Sequence, residues 1–164
     1  MIASIAMRFL GIDIGTSFLK SGLLDLDRLC VGEVHRAPFP LSNDPSVIVA
    51  AVGGLIAESP GVDGIVFCGQ MHGLMLASRR GEPLADYIPW SDLRAEECFG
   101  EMLSRLTPRE RGELGSELRP SLPVSFLYWM TRHGGLPEGA IPCSLADFVV
   151  ASLCRAAPVA EPTS

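Results

Sequence analysis

The chain has 164 residues, of which 48% are hydrophobic and 20% are charged, a balance typical of one folded domain and not of a disordered segment. Its formal net charge is −6, which argues against sequence-independent binding to nucleic acid or anionic lipid, because such binding needs clustered positive charge. Five cysteines without a C-x-x-C pair predict neither a zinc site nor a disulfide framework. No apolar run reaches the roughly 18 residues of a membrane helix. We therefore expect reduced thiols, a cytoplasmic location, and neither nucleic acid nor membrane as a partner.

The first part of the chain predicts a hairpin followed by a third strand. Residues 8–14 and 18–25 are apolar, strand-like runs separated only by Gly15, Thr16 and Ser17. The apolar start, "MIASIAM", is expected to extend the first strand and not to act as a signal peptide. The segment "LCVGEVHRAPFP" predicts one strand that ends at its two prolines, Pro38 and Pro40.

A helix and two more strands are predicted next. Asp44 is the expected N-cap of a helix that begins at Pro45 and runs to about Glu58. Its predicted apolar face consists of Val47, Val49, Val52, Leu55 and Ile56. The segment "GIVFCG", 64–69, predicts a short buried strand, and "GLMLAS", 73–78, predicts another before a turn at Arg80-Gly81.

The second half predicts mainly helices. One begins at Asp92 and ends near Leu106, one covers "PVSFLYWMTRHG" and is closed by Gly134 and Gly135, and the last covers "SLADFVVASLC". This order of elements predicts an α/β fold, with a mixed sheet and helices packed against it. The segment after Arg155, "AAPVAEPTS", is typical of a loop that leads into further chain.

Asp13 stands at the end of the first strand, two residues before a turn with little side-chain bulk. The backbone N–H groups and two hydroxyls of Gly15, Thr16 and Ser17 could surround phosphate oxygens. A carboxylate beside phosphate requires a cation between them, so this pattern indicates Mg²⁺ at Asp13, with Lys20 adding positive charge. The alternative is a tight hairpin with a cap-like aspartate.

A second group of polar residues follows the predicted strand 64–69. Gln70, Met71 and His72 lie between two glycines just past that strand, where ligands of open sheets commonly bind. Further along, "IPWSDLRAEE" offers a flat aromatic face and two polar groups, at Trp90, Asp92 and Arg94. These residues suit a sugar. The alternatives are a hydrogen-bonded loop histidine, a core tryptophan, a helix N-cap and a surface arginine.

Together these motifs resemble the N-terminal domain of the FGGY carbohydrate kinases, within the actin-like ATPase superfamily. The matching pieces are "GIDIGTSFLKSGLLD", "GIVFCGQMHGLMLASRRGEPL", "IPWSDLRAEE" and "SLADFVVASLC". The "QMHG" is most similar to xylulokinases and sedoheptulokinases. Two positions depart from the family: Ser91 stands where Asn or Gln is usual, and "PVSFLYW" lacks a lysine that many relatives carry.

The resemblance implies an actin-like, ribonuclease H-like fold and a role for each motif. Asp13 would be catalytic and hold Mg²⁺, with phosphates bound by Gly15, Thr16, Ser17 and Lys20. The ketose would be bound by Gln70, Met71, His72, Trp90, Asp92 and Arg94.

The resemblance also implies a two-domain kinase. Residues 1–164 would be the first domain, and the general base and the nucleotide-binding domain would lie outside this chain. The γ-phosphoryl group of ATP would pass to a hydroxyl of a xylulose- or sedoheptulose-like ketose. One alternative is a sugar-binding or regulatory module without activity. Another is a chaperone-like or cytoskeletal ATPase, which the "QMHG" and "WSD" segments disfavour. A homodimer is left open.

Overall fold

The computed structural model describes residues 7–26, 28–115 and 117–159. The predicted extension at "MIASIAM" therefore lies outside the described residues except for Met7, as does the end of the predicted terminal loop. The chain divides into two compact units, the first ending at Gln70 and the second beginning at Met71. Among the described residues, no helix is both long enough and apolar enough to cross a membrane.

The first unit contains a mixed five-stranded sheet. Its strand β1, Phe9–Ile14, pairs antiparallel with β2, Phe18–Asp25, so the predicted hairpin is confirmed. Two short strands, β3 at Cys30–Val31 and β4 at His35–Pro38, also pair antiparallel with β2. The last strand, β5 at Gly64–Gly69, pairs with β1 in parallel. The combination confirms the predicted mixed sheet.

Two details of this sheet differ from the prediction. The predicted third strand is divided into β3 and β4. Val31 pairs with Leu24 and His35 pairs with Ser21, so the segment between these two pairs contains one residue more than the β2 segment opposite it. Such an extra residue interrupts the ladder as a bulge does. β5 is not buried as predicted: Val66 is 52% exposed, and in the part of the chain that the structure describes β5 pairs with β1 at the edge of the sheet.

Helix α1, Pro45–Ala57, begins as predicted. The Asp44 carboxylate accepts a hydrogen bond of 2.8 Å from the Ser46 N–H, which satisfies one of the free amides of the first turn. Its buried residues are Pro45, Ile48, Val52 and Leu55, so the prediction is confirmed for Val52 and Leu55 and is wrong for Val47, Val49 and Ile56. Val47 is 42% exposed, because the buried residues follow one another at spacings of three, four and three residues from Pro45, and this helical repeat does not include position 47.

The second unit combines a two-stranded sheet with four helices among its described residues. Strand β6, Met75–Ala77, pairs antiparallel with β7, Ile141–Cys143. The helices are α2 at Glu96–Arg105, α3 at Pro108–Glu113, α4 at Pro123–Arg132 and α5 at Leu145–Cys154. One core cluster contains Leu74, Leu76, Ile88, Ala95, Phe126 and Met130.

One predicted helix end in the second unit is confirmed and another is wrong. The closure of α4 is confirmed, since Gly134 has a φ of 67° and the Gly135 N–H donates to the Met130 carbonyl at 3.0 Å. The start of α2 was predicted at Asp92 and is wrong, because the helix begins at Glu96 and the Asp92 carboxylate binds Arg94 instead of capping a helix. Strand β7 and helix α3 were not predicted.

The buried face of α1 can be tested by a pair of substitutions. Ile48→Ala should lower the free energy of unfolding by about 2–5 kcal/mol, because Ile48 is fully buried and its loss leaves a cavity. Val47→Ala, one residue away on the exposed side, should change it by about 0.5 kcal/mol or less. Urea unfolding of both variants measures the difference, and equal losses would contradict this face assignment.

Candidate functional site

The carboxyl ends of β1 and β5 lie side by side in the first unit. The two strands are parallel, with Ile14 opposite Gly69, and the Gln70 N–H continues the pairing by donating to the Ile14 carbonyl at 2.9 Å. The turn at residues 15–17, which follows β1, and Gln70, which follows β5, therefore leave the sheet at the same edge. This is the edge at which open α/β sheets bind their ligands.

Asp13 lies in the middle of a row across three strands. Lys20 is its partner on β2 and Cys68 is its partner on β5. The Lys20 Nζ lies 2.7 Å from the Asp13 Oδ2, and the Cys68 Sγ lies 3.6 Å from the Asp13 Oδ1. The carboxylate is thus partly neutralised by a lysine and also contacts a thiol, with all three side chains on one face of the sheet.

The turn between β1 and β2 has one engaged amide. The Gly15 N–H donates to the Phe18 carbonyl at 3.1 Å, and a Cβ at residue 15 would lie only 2.9 Å from that carbonyl oxygen. Glycine is therefore required for so close an approach. Thr16 and Ser17 are exposed, and within the described residues their N–H groups donate no hydrogen bond. Two of the three predicted phosphate-binding amides are thus open to a ligand.

The donor set at Asp13 is compatible with Mg²⁺. The described residues contain no group of three or more His, Cys, Asp or Glu side chains that could enclose a metal ion. Mg²⁺ in phosphoryl-transfer sites keeps several waters and is commonly held by one or two carboxylates together with substrate phosphates. A single, partly exposed carboxylate beside an open turn fits that pattern.

The predicted sugar loop, Gln70–Gly73, begins at the last residue of the first unit and continues into the second. Met71 is exposed, and His72 has a left-handed backbone with a φ of 70°, which is uncommon for a residue other than glycine. Beyond the loop, Leu74 and Ile88 exchange two backbone hydrogen bonds of 2.8 and 3.0 Å. Both side chains belong to the core cluster of the second unit. This bridge anchors the end of the loop.

The same bridge anchors the start of the segment that contains Trp90. Because Leu74 and Ile88 pair antiparallel, the loop ending at Gly73 and the segment beginning at Pro89 leave the bridge side by side. Trp90 is 46% exposed, so it is not the core tryptophan of the alternative interpretation. Its ring is accessible to a ligand.

Asp92 and Arg94 bind each other. The Arg94 guanidinium donates to both Asp92 carboxylate oxygens at 2.9 and 2.8 Å, and the Arg94 backbone N–H donates to one of them. The bonds from Arg94 lower the pKa of Asp92, and they raise the pKa of Arg94. The guanidinium also lies 5.2 Å from the centre of the Trp129 ring, a cation–π contact. A ligand would therefore meet a preformed ion pair.

Comparisons with known proteins are consistent with this geometry. The chain is 30% identical over 141 residues to the xylulose kinase of Klebsiella pneumoniae, a match that covers 76% of this chain and 28% of the relative. It is 28% identical over 120 residues to the xylulose kinase of Bacillus subtilis, covering 60% of this chain and 24% of the relative. The chain thus spans about a quarter of the length of these curated relatives. No protein-family profile matches it.

The chain belongs to the FGGY carbohydrate kinases, as an N-terminal domain of that family. Its fold agrees with the structure of a xylulose kinase from Bifidobacterium adolescentis, with a TM-score of 0.75 at 20% identity, covering 96% of this chain and 36% of that chain. A ligand-bound xylulose kinase from Lactobacillus acidophilus gives a TM-score of 0.69 over 88% of this chain and 32% of that chain, at 20% identity. The predicted actin-like α/β fold of this FGGY domain is confirmed.

Two residues near the predicted site were missed from the sequence. Cys68 contacts Asp13 only because β1 and β5 pair in parallel with this register, and no local pattern reveals that pairing. Tyr87 packs against Gly73 from the next segment along the chain. The sequence feature that could have indicated Tyr87 is its position just before the "IPW" segment.

The Cys68–Asp13 contact gives a pH-dependent prediction. Desolvation and the negative charge of Asp13 raise the pKa of the Cys68 thiol, so at pH 8 less of it is thiolate than in an ordinary exposed cysteine. Asp13→Asn removes that charge, which should lower the pKa and speed alkylation of Cys68 at pH 8. Because the thiolate is the form that is alkylated, the rate should rise with the thiolate fraction.

Iodoacetamide labelling followed by peptide mass spectrometry measures this rate at each cysteine. Cys154, an exposed cysteine at the end of α5, is the internal control and should react equally in both proteins. A Cys68 rate that is unchanged by Asp13→Asn would contradict the contact.

Proposed function

We propose that this chain is the phosphate- and sugar-binding part of an ATP-dependent kinase that phosphorylates a hydroxyl group of a ketose. The observation that carries the proposal is the shared edge of β1 and β5, where an open turn beside Asp13 and the start of the loop 70–73 emerge together. A kinase must hold a phosphate chain and an acceptor hydroxyl within reach of each other. The two curated relatives described above are xylulose kinases, which supports a ketose as the acceptor.

The first unit would bind the phosphates. The exposed N–H groups and hydroxyls of Thr16 and Ser17 suit phosphate oxygens, while Gly15 permits the tight turn. A Mg²⁺ ion held by Asp13 would neutralise charge on the phosphates of bound ATP. Lys20 holds the Asp13 carboxylate from the neighbouring strand and adds positive charge at the same edge. Asp13 would accordingly be the catalytic residue of this unit.

The sugar would be bound by the loop and by the segment after Ile88. Gln70 and His72 offer uncharged donors and acceptors for sugar hydroxyls, and the exposed Met71 lies between them. The accessible face of Trp90 suits the apolar side of a sugar. The ion pair of Asp92 and Arg94 is fixed before binding, so it would orient a hydroxyl with little loss of side-chain entropy.

The remaining machinery would be provided by a second domain. We propose that residues 1–164 form the first of two domains, and that the general base and the adenosine-binding surface belong to the other. General-base assistance is typically worth roughly 10²–10⁴-fold in rate. Closure of two domains around the reactants would also exclude water, the competing acceptor of the phosphoryl group. The 164-residue chain alone should therefore transfer phosphate at no more than background rate.

Reconstitution tests the proposed activity. The chain mixed with a separately expressed C-terminal half of a xylulose kinase should release ADP when ATP, Mg²⁺ and xylulose are present, and Asp13→Asn should abolish this turnover. Asp25→Asn is a matched control, because Asp25 is an aspartate at the opposite end of the same hairpin, in β2. A coupled ADP-release assay measures both. Wild-type turnover in the Asp13→Asn protein would contradict the role of Asp13.

A second arm of the same assay tests the sugar loop. His72→Ala or Gln70→Ala should raise the KM for ketose about two- to tenfold, the loss of one uncharged hydrogen bond, and should leave the KM for ATP unchanged. His35→Ala, an exposed histidine on β4, is the control. Ketose binding without any phosphoryl transfer would support the alternative of a sugar-binding module.

A further inference from the structure

Tyr87 is a buried tyrosine whose hydroxyl has no hydrogen-bond partner among the residues that the structure describes. The residue is 1% exposed, and within the described residues its hydroxyl makes no hydrogen bond. Burial raises the pKa of Tyr87 to about 12, so the group is a neutral O–H donor at any physiological pH. Buried polar groups are nearly always hydrogen-bonded, and one without a partner needs an explanation. A phenylalanine would fill the same space without burying a hydroxyl.

The Tyr87 side chain occupies the place of a side chain at residue 73. A Cβ on Gly73 would lie 2.2 Å from the Tyr87 hydroxyl oxygen and 2.6 Å from its ring carbon Cε2. The hydroxyl is therefore packed directly against the backbone at the end of the loop 70–73. Only a glycine at position 73 leaves room for it.

The contact lies beside the bridge that anchors both sugar-binding segments. Gly73 directly precedes Leu74, and Tyr87 directly precedes Ile88, the two residues joined by a pair of backbone hydrogen bonds. His72, on the other side of Gly73, has the left-handed backbone already noted. The Tyr87 hydroxyl therefore contacts Gly73, and Gly73 directly follows His72 with its strained backbone.

We propose that Tyr87 is a positioning residue for the loop 70–73, and that its hydroxyl gains a hydrogen-bond partner only when a ketose holds the loop in its bound arrangement. The inference rests on the proposed function, because it assigns this loop to sugar binding. In the free chain the hydroxyl is desolvated without compensation, which destabilises that state relative to the bound one. Part of the sugar affinity therefore comes from the hydrogen bond that the Tyr87 hydroxyl gains in the bound state.

Tyr87→Phe separates this role from a purely structural one. Without sugar, the variant should unfold at a temperature about 2–4 °C higher, because a buried polar group without a partner has been removed. With sugar, its Kd for xylulose should be about three- to tenfold weaker, because the bound-state hydrogen bond is lost. A hydroxyl that serves the fold alone would lower the unfolding temperature and leave the Kd unchanged.

Tyr128→Phe is the matched control, since the chain has two tyrosines and the Tyr128 hydroxyl is also buried, on α4 outside the loop. Thermal unfolding by circular dichroism and xylulose titration followed by NMR are measured on the 164-residue chain and both variants. Tyr128→Phe should bind xylulose as tightly as wild type.

A Tyr87→Phe variant that is less stable than wild type, or that binds xylulose equally well, would overturn the inference. Failure of all three proteins to bind xylulose would overturn the proposed sugar site and this inference with it, whereas equal binding by Tyr87→Phe overturns the inference alone.

Discussion

The parallel pairing of β1 with β5 is the constraint on which the candidate site depends. It brings the turn after β1 and Gln70 after β5 to one edge of the sheet, and the hydrogen bond from the Gln70 N–H to the Ile14 carbonyl extends the pairing to that edge. The alternating burial of β1 buries Leu10, Ile12 and Ile14, so Asp13 is left on the other face. The core on one face of the strand therefore fixes the carboxylate on the other.

The charge of Asp13 is balanced before any ligand arrives. Lys20 approaches it from β2 because the hairpin register places the two residues opposite each other. Directly opposed charges of opposite sign stabilise a strand pair, so the ion pair supports the hairpin as well as the site. A carboxylate already in contact with a cation can also approach a phosphate with less repulsion, which suits the proposed role of this edge.

Turns and helix ends, which depend on neighbouring residues, could be predicted from the sequence, whereas pairings between distant segments could not. The three-residue turn at 15–17, the Asp44–Pro45 helix start and the glycines after α4 each depend on neighbouring residues alone, and all three were predicted correctly. The Cys68–Asp13 contact depends on which strand pairs with β1, which no local pattern encodes. The sequence predicts Asp92 as a helix cap, but its carboxylate binds Arg94, two residues on, and this ion pair competes with capping. On α1, Val52 and Leu55 are buried as predicted, whereas Ile48 is buried in place of its similarly apolar neighbour Val47.

The proposed binding site for the phosphate chain lies at the edge of β1 and β5. The most direct measurement is an NMR titration of the ¹⁵N-labelled chain with Mg²⁺ and inorganic triphosphate, which presents the phosphates without an adenosine. We expect the amide signals of Thr16 and Ser17 to shift first and saturably. Asp13→Asn should abolish these shifts, while the dispersed signals of the other residues show that the variant is still folded. Shifts confined to residues away from this turn, or shifts at Thr16 and Ser17 that persist unchanged in Asp13→Asn, would contradict the proposed phosphate site.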